Sequence, residues 1–282
     1  TDDQERAIND VIVDLETGKL MDRLICGDVG FGKTEVALRT SFILANSGYQ
    51  VALIAPTTIL VKQHYKSFSE RFKTSSLNIS SLSRMTSLKD RNKIKNDLKT
   101  GEVNIVIGTH ALLSNDVDFN NLGLLIIDEE QHFGVAQKEK IKELQGNIHV
   151  LTLSATPIPR TLQLSLSGLK QLSLITTPPV NRLSIRTFVL EWDKVVLLDA
   201  LNREKNRGGQ TFIVCPRVKD IDSLYDRIKK MVPNLSISVA HGQMKIDELD
   251  KSINLFSDGI TDILISTNII ESGIDIPNAN TM

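Results

Sequence analysis

The sequence predicts an α/β chain of two tandem lobes, each wound on a parallel sheet, and three observations lead there. Short apolar runs alternate with amphipathic helical stretches from end to end, the βα alternation of a doubly wound sheet. The runs are rich in Val, Ile and Leu and lack polar alternation, as expected of parallel strands buried on both faces. A proline pair in Thr176–Asn181 (T-T-P-P-V-N) removes helix and ladder donors, and a second alternating series starts beyond it. The boundaries read as a first lobe over 1–177, a linker over 178–183 and a second lobe over 184–282 that is incomplete at its C-terminal end.

The elements follow in order. Ile8, Val11, Ile12 and Leu15 recur at helical spacing, and Thr1 with Gln4 has the form of a capping box for that helix. Strand-like runs follow at Leu24–Cys26, Val51–Ala55, Ile105–Ile107, Leu124–Ile127 and Val150–Leu153, with amphipathic helices such as Leu60 to Phe72 and Leu88 to Leu98 between them. In the second lobe strands are expected at Ile185–Leu190, Thr211–Val214, Ser236–Ala240 and Ile263–Ser266. Helices near Val195–Glu204, Ile221–Met231 and Leu249–Phe256 separate them, and no clear closing element appears at Asn280-Thr281-Met282.

Composition narrows the function classes. With 282 residues, 41% hydrophobic and 24% charged, the chain buries proper cores and is not disordered. A formal net charge of −1, balanced within each lobe, gives no global pull toward nucleic acid or membrane, so any nucleic-acid contact must come from a local groove. The two cysteines, Cys26 and Cys215, sit inside apolar runs and read as buried free thiols of a reducing compartment. No metal-ligand cysteine spacing, membrane-length apolar run or signal peptide is present, and the missing initiator Met suggests a fragment.

The chemistry-bearing motifs lie at strand ends. Gly27–Thr34 reads G-D-V-G-F-G-K-T between an apolar run and a helical stretch, the context of a phosphate-binding loop. Gly27, Asp28, Val29, Gly30, Phe31 and Gly32 would wrap phosphates with backbone N–H groups, and the glycines allow that curvature without a clashing Cβ. Lys33 would reach the terminal phosphates, Thr34 would place its hydroxyl on Mg²⁺, and Glu35 opens the helix. Leu124-Leu125-Ile126-Ile127 runs directly into Asp128-Glu129-Glu130-Gln131. Asp128 at the strand tip can hold Mg²⁺, and Glu129 can orient or deprotonate an attacking water. Ser154-Ala155-Thr156-Pro157 follows another strand; it reads either as a hydrogen-bonded link to the acidic turn or as a plain helix start with proline near its first position.

The order of these motifs resembles superfamily 2 helicases and translocases. The resemblance is carried by the glycine loop, P-T-T-I-L at Pro56–Leu60, G-T-H-A-L-L at Gly108–Leu113, D-E-E-Q at Asp128–Gln131 and S-A-T-P-I-P-R-T at Ser154–Thr161. In the second lobe it rests on H-G-Q-M at His241–Met244 and T-N-I-I-E-S-G-I-D-I-P-N-A at Thr267–Ala279. The wording is nearest to the motor module of bacterial transcription-repair coupling factors (Mfd), with RecG branch-migration helicases next.

That resemblance implies two RecA-like lobes, with ATP and Mg²⁺ as cofactors held between them. It implies that Gln4 reads the adenine edge and that Gln131 senses the terminal phosphate or couples to the second lobe. Thr57, Thr58, Gly108, Thr109 and His110 would face the DNA backbone; hydroxyls and N–H groups grip phosphates without fixing sequence. Thr267, Glu271, Gly273 and Asp275 match the second-lobe motif that touches DNA and nucleotide, and Arg160 falls in the lobe-coupling segment. The implied activity is ATP-driven translocation on double-stranded DNA in transcription-coupled repair, in a cytoplasmic monomer. RNA polymerase and excision-repair proteins would be met through regions outside this chain. The rivals are a RecG-like remodeller of branched DNA, a nucleotide-dependent switch without productive hydrolysis and, more weakly, an RNA helicase. Two departures stand out. His132 occupies a position where relatives usually carry Arg, and the arginine-finger motif, which the resemblance places after Met282, is not in this chain. Slow turnover by these residues alone is the expectation.

Overall fold

The computed structural model describes residues 1–155, 171–179, 185–267 and 275–282. They divide into two compact units, Thr1–Leu183 and Ser184–Met282.

In the first unit the opening helix α1 (Asp2–Glu16) forms where its capping box places it. Thr1 Oγ1 accepts from the Gln4 backbone N–H at 3.4 Å, and the Thr1 nitrogen donates to Gln4 Oε1 at 2.9 Å, so otherwise orphaned donors are satisfied at the helix start. The seven strands β1 (Asp22–Gly27), β2 (Gln50–Ile54), β3 (Ile79–Leu82), β4 (Ile105–Gly108), β5 (Leu122–Asp128), β6 (His149–Ser154) and β7 (Gln171–Ile175) form one sheet in the order β3-β4-β2-β5-β6-β1-β7. All its pairings are parallel, and helices α2 (Lys33–Asn46), α3 (Thr58–Arg71), α4 (Leu88–Thr100) and α5 (Val135–Gln145) lie on the connections. The central strands β2, β4, β5 and β6 are buried almost throughout, which is why they read as continuous apolar runs. Fully burying each Leu or Ile, such as Ile54, Ile105 and Leu124, contributes about 1.5–3 kcal/mol relative to leaving it exposed.

The second unit repeats the pattern with α6 (Lys194–Asn206), β8 (Gln210–Val214), α7 (Ile221–Met231), β9 (Ile237–Ala240), α8 (Ile246–Ser257), β10 (Ile263–Ser266) and β11 (Ala279–Thr281), in a parallel sheet of order β11-β8-β10-β9.

Three sequence expectations are corrected. The segment Ile185–Leu190 pairs with no strand among the described residues, and Ile185, Phe188 and Val189 are 85%, 77% and 93% exposed. β-branched and aromatic residues favour a pleated surface only where a neighbouring strand supplies one. The edge strands β3 and β7 escaped the apolar-run criterion because edge strands are less buried and, here, serine-bearing: I-S-S-L and Q-L-S-L-I. The end of the chain does carry a strand, β11, paired to β8.

One clamp closes the first unit on itself. Asp3 Oδ2 accepts from the backbone N–H groups of Thr176 and Thr177, both at 2.9 Å, and from their hydroxyls at 2.9 and 3.0 Å. These four donors, the Thr176 backbone N–H foremost, hold the Asp3 carboxyl down to about 2. A depressed carboxylate stabilises the fold fully above its ordinary value of 3.8, and that contribution is lost as pH falls through about 2. Asp3→Asn is therefore expected to lower the thermal midpoint at pH 7. The gap to wild type should close between pH 4 and pH 2 in a melting series monitored by circular dichroism.

Candidate active site

The first unit gathers its polar chemistry at the C-terminal edge of the sheet, where ligands bind in open parallel α/β folds. β1 ends in the glycine loop, β5 in Asp128, and β6, lying between them, in Ser154. The loop takes its shape from Gly30 and Gly32, at φ +79° and +85°. At Gly32 space is also decisive, since a Cβ there would lie 2.2 Å from Gln4 Nε2. That amide donates to Phe31 O at 2.7 Å, so Gln4 caps α1 and holds the loop at once.

Lys33 opens α2 and its Nζ donates to Gly27 O at 2.7 Å and to Asp28 O at 3.2 Å. Burial pushes the Lys33 ammonium down, while the carboxylates of Glu129 and Asp128 act in the opposite direction. Burial pushes Glu129 up, opposed by its hydrogen bond from Gln131 and by the charge of Lys33. The lysine and both acids therefore share one electrostatic site.

Glu129 is 2% exposed, with φ +51° and ψ +55°, and is the one non-glycine at positive φ among the described residues. Such a backbone costs of order 1–3 kcal/mol and persists where the surroundings fix it. Here they do: Ala155 N donates to Oε1 at 3.2 Å, and Gln131 Nε2 donates to Oε2. Ala155 therefore links the serine-alanine segment to the acidic turn by a hydrogen bond. Asp128, 7% exposed, receives a partner that sequence reasoning missed, His64 Nε2 on α3 at 2.7 Å. A histidine on the buried face of a helix was its one sequence signal.

Thr34 and Glu35 are half-buried in the first turn of α2, and Glu35 Oε1 accepts from Arg39 at 2.9 Å and Arg71 at 2.8 Å. Among the described residues no cluster of three His, Cys, Asp or Glu can hold a metal alone. A hydroxyl and one or two carboxylates suit Mg²⁺, which keeps waters and leans on substrate phosphates.

The residues expected to face DNA divide by exposure. His110 is exposed and Thr57 half-buried, whereas Thr58, Gly108 and Thr109 are buried; Thr58 and Thr109 are 8% and 7% exposed. Thr57 and Thr109 spend their hydroxyls as helix caps, accepting from Leu60 N at 3.3 Å and Ala111 N at 3.5 Å. Beside His110 opens a pocket of about 440 Å³ lined by Arg84, Arg91, Lys95 and Lys140 with one carboxylate, Asp116. Lys95 pairs with Asp116, and Lys140 donates to Leu113 O and Asn115 Oδ1. The guanidinium groups of Arg84 and Arg91 make no hydrogen bond or ion pair among the described residues, so this is a local basic groove on a charge-balanced chain. Sequence reasoning did not assemble it, because its cations come from three separate segments.

In the second unit Thr267 follows β10 and donates its N–H to Ala240 O at 3.2 Å, and Asp275 is exposed. Arg160, Glu271 and Gly273 lie outside the described residues. Cys26 and Cys215 are buried free thiols, and among the described residues no helix is long and apolar enough to cross a membrane.

The family pattern described as DEAD/DEAH box helicase matches residues 1–165. The chain belongs to the DEAD/DEAH box helicases. The helicase conserved C-terminal domain matches residues 193–282, so both helicase domains and their ATPase-type lobes are present. The transcription-repair-coupling factor of Rickettsia bellii is 56% identical over the whole chain, which covers 26% of that protein. That of Bacillus subtilis is 51% identical over the whole chain and 24% of its own length. The chain thus spans about a quarter of these curated relatives. A solved structure of RecG bound to a three-way DNA junction matches with a TM-score of 0.82 at 37% identity, over 99% of this chain and 38% of that one.

Gly32→Ala is expected to cost at least about 1 kcal/mol for the left-handed backbone alone and to push Gln4 off Phe31 O. A lowered melting midpoint, together with weakened binding of a fluorescent ATP analogue, checks this helicase loop.

Proposed function

We propose that this chain is the ATP-hydrolysing motor of a protein that translocates on double-stranded DNA in transcription-coupled repair. The observation that carries the reading is that the glycine loop with Lys33 after β1 and Asp128–Glu129 after β5 meet at one sheet edge, flanking β6. Whole-chain identity to transcription-repair coupling factors supports the assignment to repair. RNA polymerase stalled at a lesion is the object of the push, and it and the excision-repair proteins are met through regions outside this chain.

The steps follow from the residues. Backbone N–H groups of Gly27–Thr34 and the Lys33 ammonium bind the phosphates of ATP, which displaces Lys33 from Gly27 O. Gln4 braces the loop at Phe31 O and, by the helicase resemblance, reads the base edge once nucleotide binds. Thr34 and Asp128 would hold Mg²⁺, which supplies charge neutralisation on the phosphates. Glu129, pushed up by burial and fixed at both oxygens, takes the proton of the attacking water. Arg84, Arg91 and His110 grip backbone phosphates through the basic groove, with Thr57 at the head of α3.

Lys33→Ala removes charge-assisted bonds of about 1.5–3 kcal/mol and is expected to weaken ATP binding about 10- to 100-fold or more, read by fluorescent-nucleotide titration. Unchanged affinity would refute the site. Glu129→Gln is expected to keep binding but cut turnover about 10²- to 10⁴-fold, read by steady-state phosphate release with duplex DNA.

For the groove, the double variant Arg84→Ala/Arg91→Ala is expected to weaken duplex binding at all sequences. The slope of log affinity against log salt should shrink by about 2. Selective binding of branched over linear duplex would transfer the reading to a RecG-like remodeller, and preference for RNA duplex would transfer it to an RNA helicase.

A further inference from the structure

The hydrogen bond from His64 to Asp128 is used by nothing described so far. His64 is 7% exposed and Asp128 7%, and their side chains meet at 2.7 Å. An ionised carboxylate can only accept, so Nε2 carries the hydrogen and donates to Oδ2. Ligand carboxylates are commonly oriented by such outer partners, and a bond of this kind restricts how the carboxylate rotates.

Its position on α3 gives it a second meaning. Thr57, His64 and Arg71 are spaced by seven residues, two helical turns each, so they fall on one face of α3. Thr57 is the N-cap and one of the residues proposed above to meet DNA phosphates. Arg71, at the last turn, donates from Nη2 to Glu35 Oε1 at 2.8 Å, and Glu35 directly follows Thr34. α3 is thus fastened at two points to the elements of the nucleotide site, and its N-terminal end, packed through Ile59 and Leu60, lies about 10 Å from His64. A helix is stiff over this length, so displacement of its head carries His64 along.

We propose that His64 is a positioning residue: it sets the orientation of the Asp128 carboxylate for Mg²⁺ and, through α3, ties that orientation to DNA engagement at Thr57. The inference rests on the nucleotide-site reading above and adds a residue and a coupling route to it.

The test uses the full-length protein as wild type, His64→Leu and His64→Gln. Gln supplies an amide N–H close to where Nε2 stands, whereas Leu keeps the bulk without the donor. The first readout is the Mg²⁺ concentration giving half-maximal binding of a fluorescent ADP without DNA. The second is the fold stimulation of ATP turnover by duplex DNA. His64→Leu is expected to raise the Mg²⁺ midpoint about tenfold, leave metal-free nucleotide affinity unchanged and reduce DNA stimulation, with His64→Gln restoring both. An unchanged Mg²⁺ midpoint in His64→Leu, beside normal wild-type binding, overturns the inference alone. So does a loss in His64→Gln as deep as in His64→Leu with matching drops in melting midpoint, which marks a purely structural bond. Wild-type protein that binds no nucleotide instead overturns the site reading itself.

Discussion

Lys33 and Glu129 each offset part of the other's burial at the end of a parallel sheet, and the residues around them are arranged to hold that balance. Burial works against each partner: it drives the Lys33 ammonium toward neutrality and the Glu129 carboxyl toward its protonated form. Each field offsets part of the other's desolvation, but a buried charge needs hydrogen bonds as well as a counter-charge. Lys33 has two loop carbonyls, and Glu129 has Ala155 N and the Gln131 amide. The left-handed backbone at Glu129 is held by the same partners, so the strain is paid by the bonds that aim the carboxylate.

The sheet order sets two groups of polar residues apart along one edge. The nucleotide elements follow β5, β6 and β1, whereas the basic groove follows β3 and β4. From β4 the nearest of these, β5, is two strand steps away and β1 is four, roughly 10 and 19 Å at the usual spacing. α3 starts just after β2, between the two regions, and reaches Asp128 through His64. A chain with formal charge −1 thereby carries a cationic groove without becoming a basic protein.

Much of this was legible in the sequence for physical reasons. The glycine loop and Asp128–Glu129 were readable as strand-end segments because their residue types interrupt apolar runs, and the central strands because double-sided burial demands unbroken apolar runs. The capping box at Thr1 and Gln4 is local and so appears in local sequence. Long-range partners were not readable. His64 to Asp128 spans 64 residues, Asp3 to Thr176 spans 173, and the groove draws on the loop after β3, α4, the turn after β4, and α5. Edge strands β3 and β7 hid behind serines, and Ile185–Leu190 shows strand composition without a pairing partner.

The Gln4 amide on the Phe31 carbonyl has a bearing on how this lobe can be divided. Helix α1 precedes the first strand and looks dispensable to the sheet, yet its first turn is a wall of the glycine loop and its Asp3 fastens the segment after β7. The smallest piece able to keep that loop in shape must therefore begin before α1 and run past Thr177. A cut at the sheet's own margins would leave the strands intact and the loop without its inner support.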